Sequence, residues 1–477
     1  MNFFSSPNKS IRIATLTEWL DWAAGKQPDS CFVELPMIQR GFVWKPLQII
    51  ELWDTLFRGL PIGALLVTEL RNDAKSIPLI PQQKGNSQET NRDVPRLGLV
   101  DGQQRTLAML AGWPLPKGTE YPLRIWVDFS DTPRDSEILR LRITTRNQPF
   151  GFARDNPNAK LSQVERRKAQ KDWLRHITKP DLQQAALTGD HVSDQASAIA
   201  DFLNTQPYSA QQSLPIDLRE LVSWWRDHKG DRQAWQTKVL DHLKNIKAPG
   251  INDNIWESLN EKKQDQAKKY VDDLANGMER LRAAEIPLVR VDDSLFVTSP
   301  IDQTEPPLAL LFKRLGSNFT KLSNEDYVYA VLKQLLPQVH NMVTTLHGHR
   351  YGEVARPSVA SLLTSADLAM SALRLATAQW NSDGKEKSAD PEDPSKDDFH
   401  RLIRQEKFLE DTFLPLLTDE KMKLWFDQVL GYLEYRASDS PDTGLPHHAL
   451  PHLSRPLVQV LLRLAQIDYT GRILDFG

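Results

Sequence analysis

The stretch Leu97-Gly98-Leu99-Val100-Asp101-Gly102-Gln103-Gln104-Arg105-Thr106-Leu107 decides how this chain is read. A short apolar run reads as a buried strand, Asp101-Gly102 breaks it, and the residues from Gln103 onward open a helix. The first-turn amides of a helix have no intrahelical partners and carry roughly half a positive charge between them. Such a start is suited to holding an anion, and Arg105 adds a full charge and a fork of donors. The same residues have a purely structural alternative. Asp101-x-x-Gln104 is a D-x-x-Q capping box, which would begin a helix without touching any ligand.

A second motif lies upstream, in Ile38-Gln39-Arg40-Gly41-Phe42-Val43-Trp44-Lys45-Pro46. It places an amide, a guanidinium and a flat ring just before a helix that starts at Pro46. A nucleoside triphosphate asks for those groups, Arg for phosphate and an aromatic or amide group for the base. Trp44 as a core anchor and Arg40 as a surface charge are the structural alternative. The helix from Pro46 to Arg58 carries apolar residues at Ile49, Ile50, Trp53, Leu56 and Phe57, and Gly59 follows its end. A buried strand, Ile62 to Val67, comes next.

Residues 71 to 96 are rich in Pro, Gln, Asn, Ser and charge, and read as a loop inserted beside the glycine turn, either a lid or a plain insertion. Leu123 to Phe129 and Ile138 to Ile143 read as further strands. After Phe150 the pattern turns helical over Gln163 to Arg175, Leu218 to Lys229, Arg232 to Lys244 and Gln264 to Ala284. Ile286 to Val291 returns to a strand. Leu308 to Leu315 and Asn324 to Leu336 read as helices, the second capped by Ser323 with Asp326 in its first turn. Ser382 to Asp398 is a solvated linker by composition, and a last helical block runs from Phe399 to Ile467. The expected domains are therefore 1–150, 151–345 and 346–477, the last with a disordered loop near 382–398.

A chain of 477 residues can bury large cores without staples. Its single cysteine, Cys31, excludes an internal disulfide and argues against a Cys-built zinc site. Lys and Arg number 59 against 62 Asp and Glu, a net charge of -3, so a nucleic-acid contact would need a local basic face. The densest such face is Arg166, Arg167, Lys168, Lys171 and Arg175, which reads either as a DNA-backbone contact or as a solvated helix side. The first residues lack a basic, then apolar, leader, and no run is long enough to span a bilayer, so a soluble, cytoplasmic protein is expected. The chain stops at Gly477 soon after an apolar helix, which suggests a longer natural protein or a compact terminal element.

Taken in order, Q-R-x-F-x-W from Gln39, then Trp53 to Gly63 (W-D-x-L-x-R-G-x-P-I-G), then V-D-G-Q-Q-R-T-L from Val100, are far more specific than any one of them. With them the chain resembles the N-terminal domain of GmrSD-type modification-dependent restriction enzymes and related phage-defence proteins. The likeness is close over Ile11 to Phe150 and returns at Phe312 to Ser323, where the family shows F-x-R-[LI]-N-x-x-G-x-x-L-S.

The resemblance implies an α+β chain, with a ParB/sulfiredoxin-like N-terminal α/β domain followed by largely helical domains. It implies a nucleotide-binding, NTP-hydrolysing component of a bacterial anti-phage or restriction system acting on DNA. The implied site comprises Gln39, Arg40 and Trp44 from the first motif and Asp101, Gly102, Gln103, Gln104 and Arg105 from the second. Arg105 and the Gly102 to Gln104 amides would take phosphate, and Asp101 would hold a magnesium ion through water or position a hydrolytic water.

In the third block Gly316 and Phe319 replace the family's Asn and Gly, which leaves hydrolysis, as distinct from binding, open. The alternative is a DNA-binding or scaffold protein that uses nucleotide only as a conformational ligand. Pro446 to His452 contains the His448-x-x-Pro451 start of an H-N-H nuclease, but no Asn or further His follows His452. A complete nuclease is therefore not expected, nor a resident metal, and the implied partners are DNA, with modified phage DNA as one form of it, and a separately encoded nuclease or defence-system protein.

Overall fold

The computed structural model describes Phe3, Phe4 and residues 10–26, 31–36, 42, 44–71, 76–80, 94–117, 119, 121, 123–134, 137–145, 148–174, 207, 213–246, 254–292, 323–348, 359, 362–382, 399, 401–403, 405, 407–418, 420–433 and 453–469. The fold is α+β. Among the described residues the chain forms two compact units, the first within 3–292 and the second within 323–469.

The first unit begins with β1 (Ile11–Thr15), α1 (Leu16–Ala23), β2 (Phe32–Pro36), α2 (Pro46–Phe57), β3 (Leu65–Glu69), β4 (Ser76–Pro78), β5 (Arg96–Asp101) and α3 (Gln103–Ala111). It continues through β6 (Leu123–Asp128), β7 (Leu141–Thr145), α4 (Gln163–Leu174), β8 (Pro215–Asp217), α5 (Leu218–Asp227), α6 (Arg232–Asn245), α7 (Ile255–Ser258), α8 (Glu261–Ala283) and β9 (Glu285–Arg290). A six-stranded mixed sheet has the order β1-β9-β3-β5-β2-β4, and a three-stranded antiparallel sheet has the order β7-β6-β8. β5 therefore lies inside the larger sheet, antiparallel to β3 and parallel to β2. β9 pairs antiparallel with β1 and parallel with β3. The expected boundary at residue 150 falls within this unit.

Local chemistry explains the helix starts. Thr15 and Glu18 form a capping box on α1, Asp217 caps α5, Asp231 caps α6 and Asn260 caps α8. Pro46 opens α2, and Asn158 accepts a hydrogen bond from Leu47 N at 3.1 Å. Three fully buried tryptophans anchor the core, and each finds an acceptor for its indole N–H: Trp19 on Thr106, Trp53 on the Ala108 carbonyl and Trp235 on the Leu221 carbonyl.

Two differences from the sequence expectation concern short edge strands. The stretch 71–96 contains β4, which pairs with β2, and its ends are tied because Arg96 donates both to Glu34 and to the Arg71 carbonyl. β8 pairs with β6 through Pro215 to Asp217. The strand expected from Ile62 begins at Leu65, and the one expected from Ile138 begins at Leu141.

The second unit is helical among its described residues: α9 (Asn324–Leu335), α10 (Gln338–His347), α11 (Ser365–Ser382), a π-helical turn at Phe408–Phe413, α12 (Leu414–Thr418), α13 (Lys421–Leu433) and α14 (Arg455–Tyr469). Ser323 caps α9 through Asp326 N, as its spacing suggests. Its own core gathers Tyr327, Leu332, Leu373, Phe408, Phe413, Phe426 and Leu462. The helix expected at Leu308 to Leu315 and the linker after Ser382 lie outside the described residues. No described helix is long and apolar enough to cross a membrane.

Candidate functional site

The sheet delivers β5 to the site as a rigid base, since Leu97, Leu99 and Val100 are fully buried. A Cβ at Gly98 would stand 2.9 Å from the Leu70 side chain and 3.0 Å from that of Thr68, so these tips would have to shift to admit one. At the end of β5, Gly102 takes φ +96° and becomes the N-cap of α3 with no side-chain cap. This conformation belongs to glycine.

The capping-box alternative is therefore not what forms. Asp101 still belongs to the strand, and its Oδ2 accepts from Arg105 Nη2 at 3.0 Å. The Gln104 Oε1 accepts from Trp44 N at 3.3 Å. The physical reason is the glycine itself, which turns the chain one residue later than an aspartate cap would and frees both polar side chains for other work.

Arg105 reaches across the turn. Its Nη1 donates to the Ile62 carbonyl at 2.7 Å, so one guanidinium ties α3 both to β5 and to the segment entering β3. Two glycines frame it closely. A Cβ at Gly63 (φ +83°) would stand 2.9 Å from Nη1, and one at Gly102 would stand 3.4 Å from Nη2 and 2.2 Å from Leu65 Cδ2. Side-chain exposure is 21% for Arg105 and 45% for Asp101, so the pair borders solvent and is open to a ligand. The body of α3 is fixed from behind: Tyr121 donates to the Leu107 carbonyl at 2.6 Å and Arg219 to the Ala111 carbonyl at 2.8 Å. Gln103 and Gln104 are buried in its first turn.

Of the residues expected at the site, the fold brings Trp44, Asp101, Gly102, Gln103, Gln104 and Arg105 together. Trp44 is half-buried and packs on the core. Gln39, Arg40 and the block from Phe312 to Leu322 lie outside the described residues, as does His448-x-x-Pro451. On α4, Arg167 and Lys168 are exposed and Arg166 is half-buried; the side chain of Lys171 and the whole of Arg175 lie outside the description. Sequence reasoning missed Ile62 and Gly63 as partners of Arg105, although a glycine three residues into the turn after Leu60 was a usable signal.

It also missed a second arginine group. Arg134, Arg140, Arg142 and Arg154 line one small open cleft with Pro46, Phe152 and Pro157. Among the described residues no group of three or more His, Cys, Asp or Glu side chains could hold a metal ion. A magnesium ion needs fewer, because one or two carboxylates and the ligand's own phosphates complete its shell.

The sequence profile of the GmrSD restriction endonuclease N-terminal domain matches residues 23–333. The chain belongs to that family. Its match begins in α1 and ends within α9, so it includes the whole glycine turn and the strand β9 that completes the large sheet. As a GmrSD domain the chain is a restriction-system, phage-defence protein acting on DNA. A comparison with curated proteins finds no match.

Proposed function

We propose that the turn from Asp101 to Arg105 binds the phosphates of a nucleoside triphosphate, and that this GmrSD domain is the nucleotide-responsive component of its restriction system. The observation that carries the reading is the helix start without a side-chain cap at Gly102, set on a buried strand and flanked by Arg105. First-turn amides and a guanidinium at one place form an anion site.

In this reading Arg105 Nη1 keeps its bond to the Ile62 carbonyl, while the Nη2 edge that Asp101 holds in the free protein turns to phosphate. The exposed Asp101 pair is weak, worth at most about 1 kcal/mol, so phosphate can take Arg105 from it at little cost. A released Asp101 is then available to a magnesium ion through water. Trp44, Gln39 and Arg40 would bound the base and outer phosphates. When bound, the metal and triphosphate would supply the charge and the leaving group for hydrolysis.

A second reading, in which nucleotide is only a conformational ligand, is favoured by one observation. Asp101, the residue that would orient an attacking water, is engaged by Arg105. In either case cleavage of DNA falls to a separately encoded nuclease partner, the exposed cations of α4 would contact DNA backbone, and the setting is the cytoplasm.

The test is a thermal-shift series with each of the four nucleoside triphosphates and their non-hydrolysable analogues, beside a phosphate-release assay with and without DNA. Stabilisation by a ligand that binds only the folded state is expected, and Arg105→Ala should remove it. Turnover lost in the same variant supports hydrolysis, and stabilisation without turnover supports the conformational reading. A nucleotide shift unchanged in Arg105→Ala would refute the site.

A further inference from the structure

The fold sorts the basic stretch that follows residue 160. α4 opens with a capping box: Ser162 Oγ accepts from Glu165 N at 3.2 Å, and the Glu165 carboxylate accepts from Ser162 N at 2.8 Å and from its hydroxyl at 2.7 Å. The one acidic side chain of the first turn is thus folded back on the cap. Leu161 before the helix and Ala169 within it are buried, and Arg166, on the same side as Ala169, is half-buried. These residues seat α4 on the domain.

The opposite side carries Val164, Arg167 and Lys168. At about 100° per residue, Arg167 stands about 60° to one side of Val164 and Lys168 about 40° to the other. All three are exposed, and neither cation makes a side-chain hydrogen bond or ion pair among the described residues. Val164 is 70% exposed, more than any other large apolar side chain among the described residues. By the same count Lys171 falls on this face and Asp172 at its border, past Lys168.

An exposed valine alone is ordinary on a protein surface, and two unpaired cations alone are a solvated helix side. Their arrangement selects a ligand. Positive charge on both flanks of an apolar ridge complements a groove walled by two phosphate strands and floored by base edges. The major groove of B-DNA, about 12 Å wide, admits an α-helix. With 12 residues, α4 is about 18 Å long and fits along it. Placed there, the two cations face opposite walls and the residue between them faces the bases. Of the groups that base pairs present in that groove, the thymine C5-methyl is the apolar one.

We propose that α4 enters the major groove of DNA, with Val164 against a thymine methyl and Arg167 and Lys168 on phosphates of the two strands. The cations then hold the helix without regard to sequence, and Val164 supplies the preference. Its place suits that role, because Val164 is the second residue of α4, and recognition helices reach base edges with their N-terminal residues.

The proposal rests on the reading of α4 as a DNA contact. The experiment is fluorescence anisotropy of the full chain with a labelled duplex, and with the same duplex carrying uracil for every thymine, over a range of salt concentrations. The proteins are the parent, Val164→Ser, Arg167→Gln, Lys168→Gln and, as an equal-charge control at an exposed position of α8, Lys262→Gln. The parent should favour the thymine duplex about fourfold, the worth of one buried methyl, and Val164→Ser should lose that preference while keeping the salt dependence. Arg167→Gln and Lys168→Gln should each lower the slope of log affinity against log salt by about one and keep the preference; the control should change neither. A slope unchanged in both cation variants would overturn the proposal and leave DNA contact elsewhere on the domain. A lowered slope with no thymine preference in the parent, or with the preference intact in Val164→Ser, would overturn the base contact and leave α4 on the backbone alone. Absence of DNA binding by the parent would overturn the underlying reading as well.

Discussion

Replacing Gly102 by alanine tests whether the turn before α3 is as tight as its geometry implies. Two costs add. The first is conformational: at φ +96° an L side chain is strained, and left-handed backbone costs about 1–2 kcal/mol even at its best. The second is steric, because the new Cβ would stand 2.2 Å from Leu65 Cδ2. A leucine tip could swing aside on a surface, but Leu65 is fully buried in the sheet, so neighbours must move with it. Overpacking of that kind costs about 1–3 kcal/mol. The sum, about 2–5 kcal/mol, is a large part of the stability of an ordinary domain.

Gly25 supplies the control. It has φ +67° and nothing within 4 Å of an added Cβ, so Gly25→Ala carries the backbone cost alone. Urea unfolding read by hydrogen exchange at the amides of α3 should rank Gly102→Ala well below Gly25→Ala. In a Gly102→Ala, Leu65→Ala double variant the two losses should add to less than their sum by about 1–3 kcal/mol, because the clash is gone. Equal losses at Gly25 and Gly102 would refute the argument, since Leu65 would then yield freely and the close approach would have no consequence.

Other expectations follow from buried charge. Asp21 is 2% exposed, accepts two hydrogen bonds from Arg226 at 2.7 and 2.8 Å and a third from the Trp113 indole, and Asp21→Ala should cost about 3 kcal/mol in the same denaturation assay. In the second unit Lys333 is buried over the Tyr329 ring, and burial, opposed by Asp326, lowers its ammonium from 10.5 to about 7. The unfolded chain then holds more protons than the folded one between about 7 and 10.5, so stability should rise with pH over that window and Lys333→Met should abolish the rise. Burial, with the Lys333 charge next, lowers His340 from 6.5 to about 4, which by the same sign makes stability fall as the solution is acidified through that range. Unfolding midpoints of the second unit at acidic, neutral and mildly alkaline pH check both, and a flat profile in the parent would contradict them.

How much of this was legible in the sequence depended on whether a feature is local. The strand, glycine and helix of Leu97 to Leu107 were readable because periodicity and a turn residue sit side by side, and the α2 helix was readable from Pro46 and its apolar stripe. Asp101 was ambiguous because the D-x-x-Q pattern fits a cap, while its Arg105 partner at i+4 fits an ion pair; the left-handed glycine decides, and its φ is not a property of sequence spacing. β4 and β8 escaped notice because three-residue edge strands containing Pro78 or Pro215 are defined by their neighbours and not by propensity. The arginine cleft escaped because its members are spread over Arg134 to Arg154 and meet only when a loop folds across β7.

The largest illegible feature also explains why the family match extends so far along the chain. The Ile62 carbonyl that receives Arg105 belongs to the short segment between α2 and β3. It is held from a distance in sequence. On α8, Gly277 leaves space for Phe57, since a Cβ there would stand 2.9 Å from the ring, and Arg280 donates to the Phe57 carbonyl at 3.0 Å. The stem of Arg280 also lies 3.4 Å from where a Cβ on Gly59 would be. α8 then leads into β9, which inserts between β1 and β3 and so fixes the strand that begins just after Gly63. The glycine turn is thus assembled from residues separated by nearly the whole first unit, and a piece ending at residue 150 would keep the motif while losing the strand and helix that aim its arginine.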